Sequence, residues 1–288
     1  MQCFPPSLNG GKHVGDLLQW GLPRLRDLPW RRTRDPWAIL VSEVMLQQTQ
    51  VQRVIPKWHE FMATFPAPTL CAGASLGDVL RLWHGLGYPR RARNLHAAAT
   101  RIAVSGEFPS TLEALLALPG VGSYTARAVL VFAFERDAAV VDTNIARVLA
   151  RVAGHRLTAA QAQLLADALM PSGEAWAWNQ CLMDLGAALC RPSSPGCDVC
   201  PLQHRCAWRG IGEDPSVGSA AVSTRQTRFD GSDRQARGRL MKALVAGPLP
   251  VAGLAAVMAC DDARAERLAA DLEREGLIVR VRSALQLP

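Results

Sequence analysis

No run of this 288-residue chain is apolar for long enough to cross a bilayer, and no apolar signal segment stands near its start. A helical membrane-spanning protein and a secreted one are therefore not expected. A soluble cytoplasmic protein is expected. Strand-type alternation is scarce too, so the first two-thirds reads as all-α. There is no internal repeat and no low-complexity tract. Cysteine is present in unusual order: of eight residues, Cys190, Cys197, Cys200 and Cys206 crowd into one short segment. Without a secretion signal that crowding argues for a metal site in a reducing compartment rather than a disulfide set. Cys3, Cys71, Cys181 and Cys260 are scattered and read as incidental or core. The length allows more than one domain. Lysine and arginine number 32 against 25 acidic residues, a net charge of +7 that suits a polyanionic partner.

Helical periodicity recurs over 14–26, 36–65, 75–84, 90–105, 111–134, 143–153, 158–170 and 174–190. Residues 1–12 read as a loose tail, with Pro5-Pro6 and Gly10-Gly11. Residues 210–228 are rich in Gly, Ser and Thr and carry no apolar period, which predicts a linker. Residues 229–288 read as a small winged-helix-like module: three helical patterns, then the alternating end Ile278-Val279-Arg280-Val281-Arg282.

The centre of the pattern is Leu118-Pro119-Gly120-Val121-Gly122-Ser123-Tyr124, between two apolar helical segments. Glycine accepts positive φ and leaves its N–H uncovered. A helix, a tight Gly-x-Gly turn and a second helix can therefore aim unpaired N–H donors at one phosphate. An ordinary helix-to-helix turn has the same local sequence signals.

Two carboxylates stand out. Glu43 interrupts the apolar run Trp37-Ala38-Ile39-Leu40-Val41-Ser42-Glu43-Val44-Met45-Leu46. A helix apolar on nearly every side is buried, and burial keeps a carboxyl group protonated toward neutral pH, as a general acid requires. A glutamate held by a structural arginine would also fit. Gln47-Gln48-Thr49-Gln50 follow, expected on the same helix, with amides able to wedge between base pairs. A polar helix exit is the plainer alternative. Asp142 precedes the segment Thr143-Asn144-Ile145-Ala146-Arg147-Val148 and suits an N-cap. The helix dipole should keep its pKa low. A protonated acid and an ionised partner can together cleave a glycosidic bond through an oxocarbenium-like state.

The spacing Cys190-x6-Cys197-x2-Cys200-x5-Cys206 is the most specific motif. Four thiolates in one loop suit a 4Fe-4S cluster or a tetrahedral zinc, although zinc sites more often show two Cys-x2-Cys pairs. Pro192, Pro195 and Pro201 keep the segment from becoming a helix.

Taken together, these residues resemble the helix-hairpin-helix base-excision glycosylases of the endonuclease III superfamily, and within them the adenine-specific, MutY-type branch. The resemblance runs from about Leu28 to Trp208. It includes Leu28-Pro29-Trp30-Arg31, Ser42 to Gln50, Gly85-Leu86-Gly87-Tyr88, Arg91-Ala92-Arg93-Asn94-Leu95-His96, Pro119 to Gly122, Val141-Asp142-x-Asn144, Met183-Asp184-Leu185-Gly186-Ala187 and the four cysteines. It implies a six-helix barrel domain with the helix-hairpin-helix (36–135) and a discontinuous iron–sulfur domain (13–35 and 136–209). It implies that Glu43 protonates a flipped adenine and that Asp142 stabilises the sugar cation, supported by Asn144 and Tyr124. Arg31 and Gln180 would line the base pocket. Gln47, Gln48, Thr49 and Tyr88 would enter the duplex and meet the opposite base. Gly120, Val121 and Gly122 would hold a phosphate. The cysteines would carry a 4Fe-4S cluster.

The partner implied is double-stranded DNA with A·8-oxoguanine or A·G mispairs, bound by a monomer with no membrane contact, in the cytoplasm and on the nucleoid when bound to DNA. Position 124 is a lysine in the glycosylase/lyases of this superfamily; Tyr124 cannot form a Schiff base, so a monofunctional hydrolase is expected. The family's usual Tyr-Tyr is here Tyr88-Pro89, and Thr143 stands where glycine is common. The module at 229–288 is too short and too helical for the β-rich, Nudix-related domain that many relatives carry. Arg234, Arg237, Arg239 and Lys242 are expected to give it DNA affinity. A pyrimidine or T·G mismatch glycosylase, or a non-catalytic iron–sulfur DNA-binding regulator, are the alternatives. The latter gives no reason for Glu43 and Asp142.

Overall fold

The computed structural model describes residues 12–219, 222 and 228–288. The expected tail lies outside the described residues except for Lys12, which begins the first helix, and so does Cys3. In chain order the helices are α1 (Lys12–Gly21), α2 (Pro36–Leu46), α3 (Val51–Thr64), α4 (Pro68–Gly73), α5 (Leu76–Trp83), α6 (Arg90–Ser105) and α7 (Leu112–Leu116). They continue with α8 (Ser123–Phe134), α9 (Thr143–Ala153), α10 (Ala159–Leu169), α11 (Ala175–Ala188), α12 (Asp233–Ala246), α13 (Leu254–Met258) and α14 (Asp262–Arg274). Three short strands, β1 (Leu249–Pro250), β2 (Val279–Val281) and β3 (Ala284–Gln286), pair antiparallel in the order β1-β3-β2.

Two compact units divide the described chain. Of the described residues, one takes in 12–36, 110–112, 122–219 and 222; the other takes in 37–109, 113–121 and 228–288. These cuts differ from the expected boundaries: α8 groups with the cysteine loop, and the C-terminal module groups with α2–α6.

In the first unit α9 is the central rod, with α10 and α11 against it and α1 and α8 against α11. Every residue of α9 from Ile145 to Ala153 is buried, including two arginines. Ile145, Val148, Leu149, Leu165, Trp178, Leu182 and Leu185 form the core. Each such side chain withdrawn from water contributes about 2 kcal/mol. The helix expected over 14–26 ends at Gly21, because Pro23 helps tighten Leu22–Arg24 into a 3₁₀ turn. Residues 210–219, expected in a linker, are tied down: Asp214 pairs with Arg151, and the Ser219 hydroxyl accepts the Leu157 N–H. Of the rest of that stretch, residues 220, 221 and 223–227 lie outside the described residues.

In the second unit Trp37, Phe61 and Trp83 form an aromatic centre, with Phe61 edge-on to Trp83 at 6.3 Å. α4 and α5 pack on α6, and α3 on α5. The C-terminal module packs α12, α13 and α14 on one another and ends in its small sheet, the order expected of a winged helix. It is bolted to the α5–α6 region. Glu275 accepts from Arg90 at 2.6 Å, its carbonyl accepts from Arg93, and the Pro288 carbonyl accepts the Gly77 N–H at 2.9 Å. A Cβ at Gly77 would stand 2.5 Å from that carbonyl, so the join requires glycine.

Candidate active site and cysteine loop

Within the second unit, α2 carries Glu43. Every residue from Trp37 to Met45 is buried, and Glu43 is 4% exposed. Two indoles pin the helix: Trp37 donates to the Phe65 carbonyl and Trp58 to the Ala38 carbonyl, both at 2.9 Å. The burial inferred for Glu43 is thus present.

The amide string that follows is not helical. α2 stops at Leu46 and α3 starts at Val51, with Gln48 at φ +56° between them. This corrects the expectation that Gln47, Gln48 and Thr49 extend the Glu43 helix. Its cause is Arg91, 9% exposed, on the first turn of α6. Arg91 Nη1 donates to the carbonyls of Val44, Met45 and Gln47 at 2.9, 2.9 and 2.5 Å. Its Nη2 donates to the Leu86 and Gly87 carbonyls and the Thr49 hydroxyl at 2.9–3.0 Å. One guanidinium therefore joins the Gln47–Gln50 turn to the Gly85–Tyr88 loop. That loop is sharply bent, with Gly85, Gly87 and Tyr88 all at positive φ. Pro89 then caps α6, where its missing N–H costs nothing. Burial lowers the Arg91 pKa to about 10, so it stays charged at neutral pH.

At the hairpin, Gly120 has φ +76°, and a Cβ there would meet Asn94 Cβ at 2.6 Å. Glycine is required on both counts. α7 before the turn is only five residues long. The Val121 N–H is already donated to the Leu118 carbonyl at 3.2 Å, so Val121 does not offer it outward as expected. Gly122, in the other unit, is the extended N-cap of α8 and has no side chain to cover that helix's first N–H groups.

Within the first unit, Asp142 caps α9. Its Oδ1 accepts the Ile145 N–H at 2.6 Å and its Oδ2 accepts from Asn144 Nδ2 at 3.1 Å. Desolvation raises its pKa above 3.8 and outweighs these bonds and the Arg147 charge, which pull it down. The low pKa expected from the helix dipole is corrected: the cap exists, but burial wins. Asn144 is oriented in turn by Arg147, whose Nη2 donates to Asn144 Oδ1 at 2.8 Å and to the Gly186 carbonyl at 2.7 Å. Arg147 Nε donates to the Cys190 carbonyl at 2.7 Å. A Cβ on Gly186 would stand 2.7 Å from Asn144 Cβ, so this approach also needs glycine.

Tyr124 lies half-buried in the first turn of α8, and Gln180 is buried on α11. Arg31 makes a two-pronged ion pair with Asp184, at 2.8 and 2.9 Å, and Arg26 joins them. Against the desolvation of Asp184, these arginines hold its carboxyl below the usual range. The guanidinium expected to line a base pocket is thus bound to α11.

The four clustered cysteines line one small hollow, open to solvent, with Arg151 and Trp208. Arg151 is 1% exposed; it pairs with Asp214, donates to Cys190 Sγ at 3.3 Å and lies 4.5 Å from the centre of the Trp208 ring. The Arg209 N–H points at Cys206 Sγ, 3.4 Å away. Burial raises the thiol pKa of Cys190 and Cys197, and pushes that of Cys200 to about 11. Among the described residues, no group of three or more His, Cys, Asp or Glu could hold a single metal ion.

Residues 41–170 match the family profile of the HhH-GPD superfamily base excision DNA repair proteins. An adenine DNA glycosylase of Mycobacterium tuberculosis (strain ATCC 25618 / H37Rv) is 44% identical over 96% of this chain and 93% of its own length. That of Mycolicibacterium smegmatis is 42% identical over 91% of both chains. The chain belongs to the adenine DNA glycosylase family. Among solved structures, a thermostable thymine-DNA glycosylase superposes with a TM-score of 0.63 at 30% identity, covering 69% of this chain and 97% of its own.

Membership makes the chain a base-excision repair glycosylase that acts on DNA, with no described helix long and apolar enough to cross a membrane. Sequence reasoning missed two residues that organise this glycosylase's site, Arg91 and Arg147. Each had a signal. Arg91 falls on the apolar stripe of Leu95, Ala98 and Ile102, and Arg147 lies between Ile145 and Val148. A charged residue in a buried stripe must be bonded to something fixed.

Proposed function

We propose that this enzyme hydrolyses the N-glycosidic bond of adenine mispaired with 8-oxoguanine or guanine in duplex DNA. Two unlike carboxyl groups carry the reading, each within its own unit: Glu43 sealed in an apolar helix, and Asp142 capping α9 with both oxygens accepting from fixed donors. Burial disfavours a charged carboxylate, which suits Glu43 to deliver a proton to the leaving base. Asp142 supplies negative charge to the sugar cation, and Asn144 holds its orientation. Neutralising that cation favours the ionised form of Asp142 against the burial that raises its pKa. Tyr124 offers no amine, so the product is an abasic site and an uncut strand.

Gln47, Gln48 and Tyr88 fill the gap left by the flipped nucleotide. Flipping costs a few kcal/mol of unstacking, least at a mispair, which favours a mispaired adenine. Gly120 and the α8 start at Gly122 receive a phosphate. Arg31 and Gln180 border the base.

Cys190, Cys197, Cys200 and Cys206 suit a 4Fe-4S cluster. The donor set is all sulfur, an arginine and a backbone N–H point at two of the sulfurs, and a shared hollow lies between them. The cluster would supply a rigid support for the basic loop around Arg209; the chemistry at the sugar belongs to the carboxyl groups.

The test is base release under single-turnover conditions from A·8-oxoguanine, A·G and T·G duplexes. Adenine release from the first two and none of thymine is expected, with Glu43→Gln inactive yet still binding DNA. Thymine release, or full activity in Glu43→Gln, would overturn the proposal.

A further inference from the structure

The α12 basic residues do not form the uniform DNA-binding face their sequence suggests. Arg237 pairs with Glu275 at 2.5 Å, and Arg239 donates to the Met258 carbonyl at 3.2 Å. Arg234 turns the other way. Its Nη1 lies 3.5 Å from the Tyr88 hydroxyl, the long limit of hydrogen bonding, and its guanidinium sits 5.5 Å from the centre of the Phe229 ring. Phe229 is 51% exposed and Tyr88 37% exposed. The first turn of the C-terminal module thus meets the tip of the Gly85–Tyr88 loop.

We propose that Phe229 and Arg234 extend the Tyr88 loop into one DNA-reading surface that selects the base opposite the excised adenine. This rests on the glycosylase reading above and deepens it. The placement is fixed from both sides. Arg91 holds the Tyr88 loop by the Leu86 and Gly87 carbonyls. Glu275, bonded to Arg90 and Arg237, and the Pro288 carbonyl, bonded to the Gly77 N–H, hold the module to the same helices.

The chemistry fits a purine left without its partner. Such a base exposes a π-face, which an aromatic ring can cover, and edge acceptors, to which a guanidinium can donate. 8-Oxoguanine adds a C8 carbonyl acceptor and turns N7 from an acceptor into an N–H donor, so a guanidinium donating to the C8 oxygen favours it, whereas a fork on O6 and N7 would favour guanine. A module of 60 residues would then do, with one arginine and one phenylalanine, part of what a larger recognition domain does elsewhere.

The experiment measures binding, so it does not depend on turnover. Duplexes carry the hydrolysis-resistant 2′-fluoro-2′-deoxyadenosine opposite 8-oxoguanine or guanine, and affinity is read by fluorescence anisotropy. Arg234→Met and Phe229→Ala should each lower the preference for 8-oxoguanine over guanine, by about tenfold for the arginine. Arg274→Met, an equal loss of charge on α14 at a residue paired with Asp271, should leave the preference unchanged. The inference is overturned if both variants keep the wild-type preference, or if they weaken both duplexes equally, which would mark a phosphate contact. A wild-type protein without preference overturns it as well. A wild-type protein that releases no adenine refutes the glycosylase reading instead, and the two failures are separate.

Discussion

Arg91 is a buried cation that bonds five carbonyls and a hydroxyl, and replacing it with methionine tests whether it is clamp or filler. Two terms oppose each other. The carbonyls of Val44 and Met45 are buried and would lose this donor, whereas the Leu86 carbonyl keeps the Thr49 hydroxyl at 3.2 Å. At about 2 kcal/mol each, the loss at Val44 and Met45 is about 4 kcal/mol. Methionine also relieves the burial of charge. The Arg91 pKa falls from 12.5 to about 10, a cost of about 3 kcal/mol that is present wherever the arginine is charged, which includes neutral pH.

The net expectation for Arg91→Met is a loss of about 1 kcal/mol in urea unfolding, within the range that leaves a domain folded. Function should suffer more than stability. With the clamp gone, the turn at Gln48 and the loop at Tyr88 lose their shared anchor. Hydrogen exchange should rise at 46–50 and 84–89 first. Preference for lesion over undamaged duplex should fall by about tenfold, the cost of one well-placed contact. Arg91→Lys keeps the charge on a single nitrogen with three donors. It should recover part of the stability and little of the preference, because it cannot reach both loops at once. A methionine variant with wild-type unfolding, wild-type exchange in both loops and full lesion preference would refute the reasoning.

Other outcomes follow from the same physics. Because burial raises the Asp142 pKa, the acid limb of the single-turnover rate should lie above the ordinary value of 3.8, and Asn144→Ala should move it higher by removing a bond that favours the anion. The same sign means the carboxylate costs stability, nothing below pH 3.8 and fully above its folded pKa, so Asp142→Asn should be inactive and, at neutral pH, no less stable by thermal unfolding. Arg90 and Arg237 overcome the desolvation of Glu275 and hold its pKa at about 2, against 4.5 unfolded. That stability is present above pH 4.5 and lost as pH falls toward 2, so Glu275→Gln should cost about 3 kcal/mol at pH 7 and almost nothing at pH 2. Tyr124→Lys should create a borohydride-trappable DNA adduct that the wild type does not give; equal trapping by both would refute the assignment of Tyr124 as the monofunctional switch. Cys200→Ser should lower iron content and visible absorbance together, and iron retained at wild-type level would remove that cysteine from the cluster.

The sequence by itself determined what depends on near neighbours. Helical periodicity located most of the helices from α2 to α12, and an apolar run around Glu43 was enough to imply its burial. The Pro119–Gly122 turn needed only glycine chemistry to be recognised, and spacing alone marked the four cysteines as one loop, whose thiols line a shared hollow. Tertiary structure decided what depends on desolvation and on partners far along the chain. Asp142 reads as a low-pKa cap because the dipole is local, yet its burial comes from packing that no local pattern encodes. Gln47–Gln50 read as helix, yet an arginine more than forty residues later takes the carbonyls there and turns the backbone. Arg234 and Arg237 look alike in sequence; Glu275 claims one of them and Tyr88 stands beside the other. Short-range periodicity reports which face of an element is apolar, whereas charge burial and hydrogen-bond partnership are set by which faces meet, and those meetings exist only in the folded chain.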